Sequence, residues 1–359
     1  MKIYYKTKIL VNGIFPLVNF SIDNFKQKTD IYNETKIDTN DKEYIFYASG
    51  YLLLGAYSCK EKEGVYYEYF ENDELFELEI ENETSIDNIQ RIVLDNEIKK
   101  ILLLQKKLRL LSGYGISMPI FLTTIYDSNK NFLTYTGYIK HEATNLNVRD
   151  YTDEMKEKLV DRLKYRISDK AITELENKNR RFKRALSFYI DSFNHLSDST
   201  KFILLISSLE ALFNLSGKEI KNTLSKYTSK ILFLPKKESN NIHKIINKYY
   251  IIRSNYIHGN TACIKKDDVE KLTQIVREVL LIYWNISLVY NKYEASIIKK
   301  IIDKNTVDTL DIQTQLFIKY LRTKPENFEE LYKRIKSNFL NKDYSILNNQ
   351  SLNIIEVKN

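Results

Sequence analysis

YYIIRSNYIHGN, residues 249–260, ends an apolar helical run with an arginine, a histidine and a glycine. At about 100° per residue, Ile242, Ile246, Tyr249 and Arg253 fall within about 60° of one another, flanked by Ile245 and Tyr256. Arg253 therefore lies on the apolar stripe, and Tyr256 is in phase with the core. A guanidinium there needs a carboxylate partner, or an opening onto a cleft or interface where a phosphate can lodge. His258 sits about 140° around an ideal helix from Arg253. Gly259 ends the helix, which leaves the His258 ring in the last turn, able to reach toward Arg253 or a neighbouring subunit. Such a pair suits metal-free RNA cleavage. Histidine takes the 2′-OH proton or protonates the leaving 5′-oxygen, and arginine stabilises the crowded phosphate.

Outward from this stretch, residues from about 150 onward read as amphipathic helices. TDEMKEKLVDRLKYRI (152–167) and TELENKNRRFKRALSFYIDSFNHL (173–196) come first. SDST then supplies N-caps for KFILLISSLEALFNL (201–215), expected to end at Gly217. KEIKNTLSKYTSKILFL (218–234) stops before Pro235, and the helix of 240–259 opens on Asn caps. DDVEKLTQIVREVLLIYWNISLVYNKY (267–293) follows a short loop. Short connections between these helices imply an antiparallel bundle. Beyond residue 303, two helices split near Pro325 and an Asn-rich tail are expected.

The first 150 residues differ in kind. KIYYKTKILV, EYIFYASGYLLLGAYS, GVYYEYFE and LFELEIE are strand-like, rich in Tyr, Phe and Ile and broken by Gly, Asn and Asp. Residues 86–112 recur at helical spacing until Gly113 and Gly115, and MPIFLTTIYDSNKNFLTYTGYI reads as two strands around an Asp-Ser-Asn turn. The expected fold class is α+β: a β-rich N-terminal domain (1–150), a helical bundle (151–302) and a C-terminal helical extension and tail (303–359).

The bundle resembles a known family. RRFKRALSFYIDSFNHLSDSTKFILLISSLEALF (180–213), then a helix, then YYIIRSNYIHGN is similar to the HEPN domain of the ApeA-like group, in which a LEALF-type helix precedes an RSxxxHG motif. The resemblance covers roughly residues 175–295. It implies a helical bundle that dimerises to bring two Arg-x4-6-His motifs into one cleft, and a metal-independent endoribonuclease of toxin or antiphage type. Carried over residue by residue, Arg253 and His258 match the catalytic pair. Ser254 takes the polar position after the arginine, and Glu210 matches the acidic residue of the preceding helix, a partner for Arg253 or an orienter of His258. Asn255 lies inside the motif and could touch RNA. The sequence departs from some relatives in carrying Asn260 where they have a modifiable tyrosine.

Composition fits this reading. With 55 Lys+Arg against 47 Asp+Glu, the formal charge of +8 favours a polyanionic partner such as RNA. Cys59 and Cys263 stand apart without CxxC spacing, so neither a disulfide framework nor a zinc site is implied. No signal peptide or span of about 18 uninterrupted apolar residues is visible, which leads to the expectation of a cytoplasmic protein without a membrane partner. His141, His195 and His243 lack metal spacing; SGYGIS lacks the third glycine of a dinucleotide fingerprint, and LSGKE the first glycine of a P-loop. DDVE (267–270) suits the positive end of a helix, and Trp284 suits a core. No cofactor or metal is expected. The expected partners are an RNA substrate, a second copy of the chain, and a phage-derived or protein trigger at the N-terminal domain. The alternative is a non-catalytic HEPN module that binds RNA or protein, with Arg253 in a structural ion pair.

Overall fold

Alternation of apolar and polar residues over the first nine positions produces the central strand of the N-terminal unit: Ile3, Tyr5, Thr7 and Ile9 are buried, while Tyr4, Lys6 and Lys8 are partly exposed. The computed structural model describes residues 1–12, 21–22, 25–32, 57–58, 65–72, 75–81, 84–113, 115–139, 169–213, 220–260, 263–304, 309–311, 314–315 and 317–318. Its strands are β1 (Lys2–Asn12), β2 (Ser21–Ile22), β3 (Phe25–Tyr32), β4 (Tyr57–Ser58), β5 (Val65–Asn72), β6 (Phe76–Glu79), β7 (Ser117–Tyr126) and β8 (Phe132–Ile139). They form one antiparallel sheet in the order β2-β3-β5-β1-β7-β8, with β4 added on β5 and β6 on β1. Pairing Tyr5 with Ile125 and Ile9 with Phe121 keeps the apolar side chains of β1 and β7 on one face.

That face is covered by α1 (Ile86–Ser112), whose Ile89 and Val93 bury against Ile3, Tyr5 and Ile125. Ser85 caps its start by accepting from the Asn88 amide, and Gly113, at φ 76°, ends it. Glu97, fully buried on α1, is compensated. It accepts from the Thr7 hydroxyl at 2.7 Å and from Lys100 Nζ at 2.9 Å. The expected hairpin turn is present at 127–131, where the Asp127 carboxylate accepts from the amides of Asn129 and Asn131.

Chain contacts divide the protein into two units, Met1–Leu163 and Lys164–Asn359. The boundary expected near residue 150, the helix expected at 152–167 and His141 lie outside the described residues, as do Cys59, Gly217 and nearly all of the extension and tail after 318. The fold is mixed α+β, with the strands in the first unit and seven of the eight described helices in the second.

The second unit comprises α2 (Asp169–Lys178), α3 (Arg180–Ser192), α4 (Asp198–Phe213), α5 (Ile220–Ile231), α6 (Lys236–Ile257), α7 (Lys266–Val289) and α8 (Ala295–Lys304). α7 is its centre: residues from Val279 to Ser287 are buried without interruption, including Trp284, and α2, α3, α4, α5 and α8 all pack on it. It is the one described helix long and apolar enough to cross a membrane, and most of that span is buried in the bundle.

Helix limits differ from expectation at several places, two of them with a clear local cause. Residues 173–196 do not form one helix but two, because Asn179 leaves the helical path. Its Oδ1 accepts from the Arg181 and Phe182 amides, and its Nδ2 donates to the Tyr283 hydroxyl and the Tyr293 carbonyl. α6 begins at Lys236, directly after Pro235, rather than at the later asparagines, since a proline's fixed φ suits the residue leading into a helix.

Candidate functional site

α4 and α6 pack side by side, and this brings Glu210 to Arg253. The contact is a single bond: Arg253 Nη2 donates to Glu210 Oε2 at 3.3 Å, with side-chain exposures of 23% and 19%. Arg253 continues the stripe of Ile246 and Tyr249, both buried, as the helical phase requires. Its Nε is buried with no hydrogen-bond partner, and its guanidinium lies 5.9 Å from the Tyr250 ring centroid. The pairing is monodentate where a guanidinium can make a fork.

The electrostatics of the pair are unequal. Burial pushes the Glu210 carboxyl above its ordinary pKa, and the attraction of Arg253, which acts the other way, does not offset it. Burial also lifts the nearby Tyr249 hydroxyl, helped by its bond to the Asp268 carboxylate at 2.9 Å. That aspartate is one of two acids in the first turn of α7, the place expected for them.

α6 ends as the sequence indicates. Gly259 adopts φ 74°, its amide donates to Tyr256 O, and the Asn260 amide donates to Asn255 O, the two crossed bonds of a Schellman cap. His258 is the C-cap residue, bonded through its own amide to Ser254 O at 3.1 Å. Its ring is exposed and makes no hydrogen bond or ion pair among the described residues. The structure thus joins Arg253 to Glu210 but not His258 to either. Ser254 and Asn255 are partly buried on the same last turn and form the cap through their carbonyls.

Tyr256 corrects an expectation: it is 42% exposed, not core. Ile257, at 48%, shares that exposure, so the covering of the stripe stops at Arg253 and the last turn of α6 presents apolar surface, while Ile251, at 47%, is exposed on the opposite side of the helix. Of the lone histidines, His195 is exposed and His243 partly buried, and among the described residues no group of His, Cys, Asp or Glu is placed to hold a metal ion. Cys263 is an exposed free thiol.

Glu210 also lines a cavity of about 560 Å³ with Arg180, Arg181, Arg184 and Phe188 of α3. These arginines were not singled out in the sequence. Their signal was the cluster RRFKR at a helix start, where acidic residues are the usual choice. No family model matches the chain, and neither does any curated protein or solved structure.

Proposed function

We propose that the protein is a metal-independent endoribonuclease of the HEPN type, acting as an antiphage or toxin-like effector in the cytoplasm. Two copies of the chain meet through the end of α6, so that Arg253 and His258 of both line one cleft. His258 exchanges protons with the 2′-OH and the 5′-oxygen, and Arg253 carries the charge of the pentacoordinate phosphate. Glu210 holds Arg253 in place, while Ser254 and Asn255 shape the cap that carries His258. The N-terminal unit takes the trigger.

The observation that carries this reading is the state of Arg253: half-buried, singly bonded, with an unused Nε, five residues before an exposed histidine. An arginine kept only for structure would be expected to spend its donors on its carboxylate. The exposed Tyr256 and Ile257, on the Arg253 side of the last turn, support a second copy as the missing wall. Purified protein incubated with total RNA in EDTA is expected to leave 2′,3′-cyclic phosphate ends, with at least a hundredfold loss of rate in His258→Ala. Undiminished cleavage by His258→Ala would remove that residue from the chemistry.

The Glu210 bond favours a second reading, a non-catalytic RNA- or protein-binding module in which the pair is structural. It predicts no cleavage by the wild type and a stability loss of about 3 kcal/mol in Arg253→Ala, from the carboxylate left behind.

A further inference from the structure

The start of α3 carries an arrangement the proposed chemistry does not use. Arg180 and Arg181 occupy its first two positions, and the first turn has no acidic residue. Cations at a helix's positive end oppose the peptide dipoles. Neither arginine, nor Arg184 one turn on, makes an ion pair with a carboxylate among the described residues, and Arg181 Nη1 is buried without a hydrogen-bond partner.

Two cavities meet at these arginines. The first, about 420 Å³, is lined by Lys178, Arg180, Arg181, Tyr293 and Lys299, with Glu294 as its one acidic wall residue. The start of α8, at Ala295 and Ser296, faces the same cavity. The second is the 560 Å³ cavity of Arg180, Arg181, Arg184, Phe188 and Glu210, and Glu210 is the carboxylate that holds Arg253. Burial, with Arg181 adding to it and Asp303 opposing, holds the Lys299 ammonium below its ordinary pKa, while Lys178 is paired with Glu174. Each cavity also has one aromatic ring beside its cations: Tyr293 in the first and Phe188 in the second.

We infer that these adjoining cavities form a track for single-stranded RNA, in which Lys178, Arg180, Arg181, Arg184 and Lys299 take successive phosphates and Tyr293 and Phe188 stack bases on the way to Glu210 and Arg253. Cations interleaved with aromatic faces along a groove are what single-stranded nucleic acid selects. Two cavities that share Arg180 and Arg181 in their walls suit an extended polyanion better than a mononucleotide. The inference rests on the ribonuclease reading for its choice of RNA over another polyanion.

The test uses the full chain carrying His258→Ala, so that a fluorescein-labelled 15-nucleotide RNA survives, and follows anisotropy over a KCl series. Arg180 and Arg184 are exposed, so Arg180→Ala with Arg184→Ala is expected to melt like its parent. It should bind about tenfold more weakly, with a log K against log[KCl] slope shallower by about 1.4, two phosphate contacts at about 0.7 each. The control pair Lys236→Ala with Lys237→Ala, also exposed, should change binding less than about twofold. Unchanged RNA binding in the arginine pair, an equal loss in the control pair, or displacement of the RNA by ATP or poly-aspartate at equal charge concentration overturns the track. Weakened binding in a chain whose wild type cuts no RNA retains the track and removes the nuclease, whereas unchanged binding with His258-dependent cleavage does the reverse.

Discussion

Arg253 and Glu210 form an ion pair in which burial is not fully answered by attraction. Because the folded carboxyl titrates above its unfolded value, its favourable contribution is present below the ordinary carboxylate range and is lost as the pH rises through the folded pKa. The Glu210 carboxyl, followed by carbon-detected NMR, should titrate above the ordinary value of about 4.3. Arg253→Met should raise it further, since Arg253 is what holds it down. Glu210→Gln should gain stability relative to wild type between pH 4 and 7. A midpoint below the ordinary value would mean that attraction dominates. At this scale the sequence was partly legible. Phase placed Arg253 on the stripe and so required a partner, and the family resemblance chose Glu210. It misjudged Tyr256, because helical phase tells which way a side chain points but not where the neighbouring helices stop covering it.

Helix ends were legible wherever a glycine made them, as at Gly113 and Gly259, since a positive φ leaves few other residues suitable. The break at Asn179 was not. Asparagine is tolerated within helices, and what turns it into a cap here is tertiary: bonds to Tyr283 on α7 and to the Tyr293 carbonyl beyond it. One buried amide therefore starts α3 and fastens it to the bundle's core. Asn179→Ala is expected to cost about 2–3 kcal/mol in urea unfolding, the sum of a lost cap and unpaired buried groups. A cost below 0.5 kcal/mol would mean that the two helices can fuse through residue 179 at little penalty.

For the molecule as a whole, the change from strand alternation to helical periodicity near residue 150 showed the α+β class, because each period follows from backbone geometry alone. Sheet order did not show. β1 pairs with β5, β6 and β7, partners separated by long stretches of chain, and alternation names a strand without naming its neighbours. Assembly belongs to this scale too. If the cleft needs two copies, cleavage per chain should rise with protein concentration below the dimer dissociation constant and plateau above it. Replacing Ile257 with Asp should shift that midpoint at least tenfold without lowering the melting temperature, since the residue is exposed in the single chain. A rate per chain independent of dilution would show that one copy suffices.

The central position of α7 also decides the order in which the bundle can assemble during synthesis. Glu210, Arg253 and His258 all leave the ribosome before residue 266, but the helix around which α2 to α5 pack does not yet exist. The nascent bundle must wait with its apolar faces exposed until that last long segment emerges to fill the middle. A fragment released before then carries Glu210, Arg253 and His258 but lacks the helix that fills the middle of the bundle, so their register is set only when synthesis of the bundle is almost complete.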